Sequence, residues 1–152
     1  IVAGPDNIGF LPTARGYFTE AGCLDAVTFT GMLTGNLKYA ALAAASVYVA
    51  PSYSEGFSMS VLEGMASGLP CVITTGCNFP EAGEAKAARV VPINSDDIAS
   101  ALLECLQYPD AANAMGDRAR QLILEQYTWE QIATKMKDVY TAIINQHSLP
   151  SF

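Results

Sequence analysis

The sequence predicts an α/β protein built on a doubly wound, Rossmann-like parallel sheet. Short apolar segments rich in β-branched and aromatic residues alternate with segments of helical periodicity. The predicted strands are apolar along their whole length, which is typical of strands covered on both faces. Because crossovers between parallel strands are right-handed, the intervening helices cover both faces of the sheet.

Five strands and the helices between them follow from these patterns. The strands are predicted at residues 1–4, 26–30, 47–50, 71–75 and 88–91. Helices are expected at residues 13–21, 35–45, 58–67 and 97–107, just after Pro80, and from Pro109 onward. Ser95 or Asp96 is expected to cap the helix at 97–107. A capping box of Thr128 and Gln131 opens a last amphipathic helix, so helices at about 96–147 close the domain.

The composition excludes several classes of function. The chain has 152 residues, 51% of them hydrophobic and 15% charged, which is enough for one domain with a sizeable core. Its net charge of −7 argues against nucleic acid, and against contact of this segment with an anionic membrane. No apolar run is long enough to cross a bilayer, and no signal peptide is visible.

No metal site is expected. The four cysteines form no C-x-x-C pair, and the single histidine, His147, lies near the end of the sequence. Such cysteines are typical of reduced, mostly buried thiols in a cytoplasmic protein. We therefore expect a cytoplasmic location, with attachment to the cytoplasmic membrane face through another part of the protein as the alternative.

The beginning of the chain resembles an interrupted strand. It starts at Ile1 rather than Met, and apolar residues run up to the turn at Gly4. We therefore expect residues 1–152 to form one domain of a longer polypeptide, truncated at its N-terminal side.

The candidate site centres on residues 51–70, which follow the third predicted strand. Glu55 lies in the turn, and a helix begins near Ser58. Ligands of such sheets bind at the carboxyl ends of the strands, where helix N-termini can hold phosphate. The N–H groups around Phe57 can then bind a diphosphate, while Glu55 accepts hydrogen bonds from sugar hydroxyls. The alternative is that Glu55 only complements the helix dipole.

Further polar groups are candidates for the rest of a nucleotide. Glu63 lies among apolar residues of the predicted helix, and a partly buried carboxylate needs a partner such as two ribose hydroxyls. Thr30, Gly31 and Met32, at the end of the second strand, can contact a base. The alternatives are a solvent-facing Glu63 and an ordinary loop at the strand end. For Glu81, a ligand role and a helix-start carboxylate are equally open.

Several motifs together resemble one family. Glu55 and Glu63 have the E-x7-E spacing, and the whole stretch 51–70 is similar to the signature of the group 1 glycosyltransferases. These are retaining enzymes of the GT-B fold. The resemblance continues at residues 27–31, 78–81 and 127–130, and so covers nearly the whole chain.

The resemblance implies a role for each candidate. Glu55 is expected to act as the catalytic residue that faces the hydroxyls of the transferred sugar, and Glu63 is expected to bind the ribose. The diphosphate and the base would be held by the remaining candidates, which are Gly56, Phe57, Ser58 and Met59 for the diphosphate and Thr30, Gly31 and Met32 for the base. The family often has Gly where this chain has Ser58, and its upstream basic pair precedes the first residue here.

The implied activity belongs to a larger enzyme. The chain is expected to be the C-terminal, donor-binding half of a GT-B hexosyltransferase, with no cofactor and with a nucleoside diphosphate sugar as donor. The acceptor would bind an N-terminal domain outside this sequence, so the segment alone is expected to be inactive. The alternatives are a GT-B type nucleotide-sugar epimerase and a non-catalytic nucleotide-sugar binding module.

Overall fold

The computed structural model describes residues 1–150, in which parallel strands alternate with helices. This confirms the predicted α/β class. The strands are β1 (Val2–Ala3), β2 (Phe29–Gly31), β3 (Tyr48–Ala50), β4 (Cys71–Thr74) and β5 (Arg89–Val91). The helices are α1 (Leu11–Glu20), α2 (Gly35–Ala44), α3 (Met59–Ala66), α4 (Pro80–Glu84), α5 (Ser95–Gln107), α6 (Pro109–Gln126) and α7 (Trp129–Ile144). Short 3-10 turns cover Leu24–Ala26 and Thr75–Cys77.

The first of two compact units covers Ile1–Ala43. In it β1 pairs with β2 in parallel, and the amide of Gly4 donates to the carbonyl of Gly31 over 2.9 Å. Phe18 of α1 meets Phe29 of β2 edge to face, with ring centroids 5.8 Å apart. This ring contact joins the helix to the two-stranded sheet.

The second unit begins at Ala44 and contains the three-stranded parallel sheet β3-β4-β5. The central strand β4 pairs with β3 through Val49 and Val72, and with β5 through Val72 and Arg89. All four residues of β4 are buried, as expected for a strand covered on both faces. Among residues 1–150, buried side chains occur only from Ala50 onward, so the core lies in this unit.

Two layers of helix complete that core. Helix α5 packs on β4 and α6 around a cluster of buried residues, which are Val72, Ala101, Cys105, Ala112 and Met115. Helix α6 also lies against the turn that ends α3, where a Cβ atom on Gly116 would stand 2.1 Å from the carbonyl oxygen of Gly68. Glycine at position 116 therefore lets α6 reach the backbone of that turn, which fixes the end of the helix that carries Glu63.

Two local predictions were wrong and one was confirmed. The second strand begins at Phe29 rather than Ala26, because Leu24–Ala26 forms a 3-10 turn. Helix α5 is capped by neither Ser95 nor Asp96. Instead the Oδ1 atom of Asn94 accepts from the amide of Asp96 at 2.7 Å and from that of Asp97 at 3.4 Å. At the start of α7, Thr128 caps as predicted, its Oγ1 accepting from the amide of Gln131 at 3.3 Å.

The lengths and compositions of the helices show whether any of them could cross a membrane. Within residues 1–150, none of them combines the length and the apolar character that a membrane-spanning helix needs.

Candidate functional site

The loop after β3 is joined to the loop after β4 by hydrogen bonds from backbone and side-chain donors. The amide of Glu55 donates to the carbonyl of Gly76 over 2.8 Å, and the side-chain amide of Asn78 donates to the carbonyl of Gly56 over 3.3 Å. The buried hydroxyl of Thr74 donates to the carbonyl of Ser52. The loops after β3 and β4 therefore meet at the carboxyl edge of the sheet, where ligands of such sheets bind.

Gly76 makes this convergence possible. A Cβ atom on residue 76 would lie 2.2 Å from the carbonyl oxygen of Ser52 and 2.6 Å from that of Tyr53. Neither atom is part of a flexible side chain, so a larger residue would push the two loops apart. The next turn residue, Asn78, has a φ of +51°, a left-handed conformation that asparagine adopts more readily than most residues.

The carboxylate of Glu55 is half-buried and held from within its own loop. The hydroxyl of Ser52 donates to Oε1 of Glu55 over 2.6 Å. With its amide bonded to Gly76 as well, Glu55 is fixed through both its backbone and its side chain. A carboxylate has about four acceptor positions, so capacity remains for hydroxyl groups of a ligand.

Helix α3 starts three residues after Gly56 and directs its N-terminus towards this loop. Ser58 is the N-cap residue, with φ −84° and ψ 105°, and it is buried. Its hydroxyl lies 3.1 Å from that of Ser60, and none of the described side chains caps the helix N-terminus. The first-turn N–H groups of an α-helix have no intrahelical acceptor, so this terminus offers donors and a positive dipole end to an anion.

The ring of Tyr48 lies against helix α3. A Cβ atom on Gly64 would stand 2.8 Å from Cγ of Tyr48, so the ring packs directly against the helix backbone. Burial raises the pKa of the Tyr48 hydroxyl, and its hydrogen bond with Ser60 lowers it by a smaller amount. The Tyr48 hydroxyl is therefore neutral at physiological pH and hydrogen-bonds to Ser60 in the first turn of α3.

Glu63 lies in the second turn of α3 and is half-buried. Its neighbours Leu62 and Gly64 are buried, and its backbone carbonyl accepts hydrogen bonds from both the amide and the hydroxyl of Ser67. A fully solvent-facing Glu63, one of the alternatives above, does not match this burial.

Three aromatic rings support the loop that carries Phe57. Phe57 meets Phe79 with ring centroids 5.4 Å apart and stacks on Tyr127 at 5.8 Å, while Phe79 and Tyr127 meet edge to face at 5.2 Å. Burial raises the pKa of the Tyr127 hydroxyl, and the charge of Glu81 adds to this effect. The cluster links the loops after β3 and β4 to the junction of α6 and α7.

The remaining predicted site residues belong to the first unit. Thr30 and Gly31 end β2, and the hydroxyl of Thr30 donates to the carbonyl of Gly31 over 3.0 Å. Gly31 has a φ of +66°, which favours glycine, and the side chain of Met32 is 62% exposed. Met32 thus presents an apolar side chain to solvent at a strand end.

Sequence reasoning missed the residues that hold the site residues in place, namely Tyr48, Ser52, Thr74, Gly76 and Asn78. The contacts of Thr74, Gly76 and Asn78 with the loop after β3 join segments more than 20 residues apart, whereas Tyr48 contacts α3 and Ser52 contacts Glu55 at shorter separations. The Gly76-Cys77-Asn78 turn carries a local signal, since Gly and Asn both tolerate unusual backbone angles. In the part of the chain that the structure describes, no group of three or more His, Cys, Asp or Glu residues could hold a metal ion.

The fold is that of the GT-B glycosyltransferases. It matches sucrose-phosphate synthase from Thermosynechococcus elongatus with a TM-score of 0.81 and 26% identity, over 94% of this chain and 37% of the other. It also matches Anabaena Alr3699/HepE, whose structure is a complex with UDP, with a TM-score of 0.82 and 17% identity, over 92% of this chain and 40% of the other. At that lower identity the likeness concerns the fold alone.

The sequence comparisons give the family. The profile described as "Glycosyl transferases group 1" matches residues 5–108. The chain is 33% identical over 136 residues to an MMP alpha-(1->4)-mannosyltransferase from Mycolicibacterium hassiacum, covering 88% of this chain and 33% of the relative. It is 33% identical over 138 residues to a GDP-mannose-dependent alpha-(1-6)-phosphatidylinositol monomannoside mannosyltransferase from Mycobacterium tuberculosis, covering 85% and 36%.

The chain therefore belongs to the group 1 glycosyltransferases. It spans about a third of the length of these curated relatives.

Proposed function

We propose that this chain is the donor-binding domain of a retaining glycosyltransferase of the hexosyltransferase type. The intact enzyme would transfer a sugar from a nucleoside diphosphate sugar to an acceptor. One observation carries the proposal. The half-buried carboxylate of Glu55 is hydrogen-bonded to Ser52 beside the N-terminus of α3, in a loop that is bonded to the loop after β4.

This arrangement fits the two chemical parts of such a donor. Glu55 is proposed to accept hydrogen bonds from hydroxyls of the transferred sugar and to act as the catalytic residue. The backbone of Gly56, Phe57, Ser58 and Met59 is proposed to hold the diphosphate, because N–H groups at a helix start bind phosphate without basic side chains. Buried Ser58 and half-exposed Phe57 would shape that binding surface.

The nucleoside would contact the other candidates. The half-buried Glu63 is proposed to accept hydrogen bonds from both ribose hydroxyls, since a carboxylate can pair with two neighbouring donors. Thr30, Gly31 and Met32 are proposed to lie near the base. One related enzyme is GDP-mannose-dependent and one related structure is a complex with UDP, so the test includes donors with different bases.

The rest of the catalytic machinery is proposed to lie outside these residues. The net charge of −7 leaves few cations here for a leaving diphosphate, so we propose that basic groups elsewhere in the polypeptide neutralise it. The acceptor would bind there as well. Catalysis would depend on positioning and charge stabilisation rather than on a cofactor or a metal. We propose a cytoplasmic protein, and this segment alone would bind donor but transfer nothing.

Calorimetry tests the donor site. UDP-glucose, GDP-mannose and ADP-glucose are titrated into the folded chain, and we expect weak binding of one of them. Glu63→Ala should then weaken binding of both the sugar nucleotide and the matching free nucleoside diphosphate, because ribose is common to both. Glu84→Ala, which changes an exposed carboxylate in α4, is the matched control. A folded chain that binds none of the three donors would contradict the proposal.

A further inference from the structure

Ser52 makes the closest polar contact to the carboxylate of Glu55. Its Oγ atom lies 2.6 Å from Oε1 of Glu55, within one partly buried turn of four residues. Hydrogen bonds to ionised acceptors are shorter and stronger than those between neutral groups, and this distance is typical of them. The contact fixes one oxygen of the carboxylate and leaves acceptor positions on the other.

Ser52 is in turn held from the sheet. Its carbonyl oxygen accepts a hydrogen bond from the hydroxyl of Thr74. Thr74 ends the central strand and is only 1% exposed. The same carbonyl lies against Gly76, whose backbone leaves no room for a side chain there. The backbone of Ser52 is therefore held by the buried Thr74 side chain and by Gly76, and not only by its own loop.

We propose that Ser52 is a positioning residue that orients the Glu55 carboxylate towards the hydroxyls of the donor sugar. This rests on the proposed function, in which Glu55 contacts the sugar. A free glutamate side chain has three rotatable bonds, and ordering it when the donor binds costs affinity. The hydroxyl of Ser52 orders it before binding. Ser52 itself contacts no part of the nucleotide.

The test compares two ligands that differ only in the sugar. For the donor that the chain binds, calorimetry gives the dissociation constants of the sugar nucleotide and of its free nucleoside diphosphate. The measured quantity is the dissociation constant of the sugar nucleotide divided by that of the free diphosphate. We expect Ser52→Ala to raise this ratio about tenfold, the typical effect of losing a hydrogen bond to a charged group. The constant for the free diphosphate should not change.

Three further variants separate positioning from general damage. Ser52→Thr keeps the hydroxyl and should keep the ratio of the unchanged chain. If the alanine variant does not fold, Ser52→Cys, which keeps the size of the side chain but donates only weakly, takes its place and should raise the ratio. Ser54→Ala, an exposed serine in the same loop, should have no effect. In a chain that already carries Glu55→Ala, adding Ser52→Ala should change the ratio no further, because the positioned group is absent.

Each other outcome overturns a defined claim. If Ser52→Ala weakens both ligands equally, or if its effect persists in the Glu55→Ala chain, Ser52 is structural and the inference is wrong. If Glu55→Ala shifts the ratio and Ser52→Ala does not, only the inference about Ser52 falls. If Glu55→Ala leaves the ratio unchanged, or the chain binds neither ligand, the proposed role of Glu55 falls and the inference falls with it.

Discussion

The backbone of Gly76 lies against that of Ser52, so closely that a Cβ atom on residue 76 would stand 2.2 Å from the carbonyl oxygen of Ser52. This close approach lets the two loops at the carboxyl edge of the sheet meet and form their hydrogen bonds, and Glu55 lies in one of them. The spacing of side chains in the site therefore depends on a residue that has no side chain.

The first prediction concerns Gly76. Gly76→Ala should separate the loops after β3 and β4, because the methyl group meets backbone atoms that have no room to move. We expect the free energy of unfolding to fall by about 1–3 kcal/mol, as for other overpacked sites, and donor binding to fall with it. Urea unfolding and calorimetry measure the two effects. The control is Gly16→Ala in α1, where a Cβ atom meets nothing within 4 Å. Unchanged donor binding in Gly76→Ala would contradict the prediction.

The second prediction concerns the aromatic cluster. Phe79 is only 4% exposed and contacts both Phe57 and Tyr127. Phe79→Ala should lower the free energy of unfolding by about 3–5 kcal/mol, the usual cost of deleting a buried phenylalanine side chain. Tyr53→Ala is the matched control, since Tyr53 is 85% exposed and should change the value by less than about 0.5 kcal/mol. If Phe79→Ala lowers the free energy of unfolding no more than Tyr53→Ala does, the cluster does not stabilise the protein.

The third prediction tests the cap of α5. The side chain of Asn94 accepts hydrogen bonds from the backbone amides of Asp96 and Asp97. Asn94→Ala should therefore lower the free energy of unfolding by about 1 kcal/mol. Asn94→Ser retains a capping oxygen and should recover most of that loss. Asn113→Ala, at an exposed position within α6, is the control and should not destabilise the protein. If the Asn94→Ala variant is as stable as the Asn94→Ser variant, the cap contributes nothing to the stability of the protein.

The fourth prediction is a loss of stability at high pH. Burial raises the pKa of the Cys71 thiol from 9.0 to about 12, and the nearby thiol of Cys105 adds to the shift. Above about pH 9 the unfolded chain releases this proton while the folded chain retains it, so stability falls as pH rises. The slope reaches about 1.4 kcal/mol per pH unit and ends near the folded-state pKa. The half-buried Tyr48, whose pKa is also raised, acts in the same direction.

Unfolding free energies at pH 8 and pH 10 measure this effect. The thiol alone should account for a loss of about 1.4 kcal/mol at pH 10. Cys71→Ala removes the titrating group, so its stability should fall less between the two pH values. Below pH 8 the thiol is protonated in both states, and the two proteins should differ by a constant amount. Equal slopes in the two proteins would show that Cys71 is not responsible.

Local signals were sufficient for the order of the elements. Five apolar segments, each near a predicted strand position, form the five strands, and Pro109 and Thr128 begin or cap helices as predicted. These features depend on hydrophobic periodicity and on caps made by residues close in sequence. The second strand begins three residues later than predicted, because Leu24–Ala26 forms a 3-10 turn. The cap of α5 lies one residue before Ser95, because several neighbouring polar residues are chemically able to fill that role.

The sequence alone determined the α/β class, the family resemblance and the choice of Glu55 and Glu63, because the E-x7-E spacing and the apolar strand before it are local. The tertiary structure decided what surrounds those residues. It brought Thr74, Gly76 and Asn78 against a loop more than 20 residues earlier, and it buried Phe79 between Phe57 and Tyr127. Such contacts depend on how β3 and β4 pair and on where their loops then meet, which no local pattern of residues specifies.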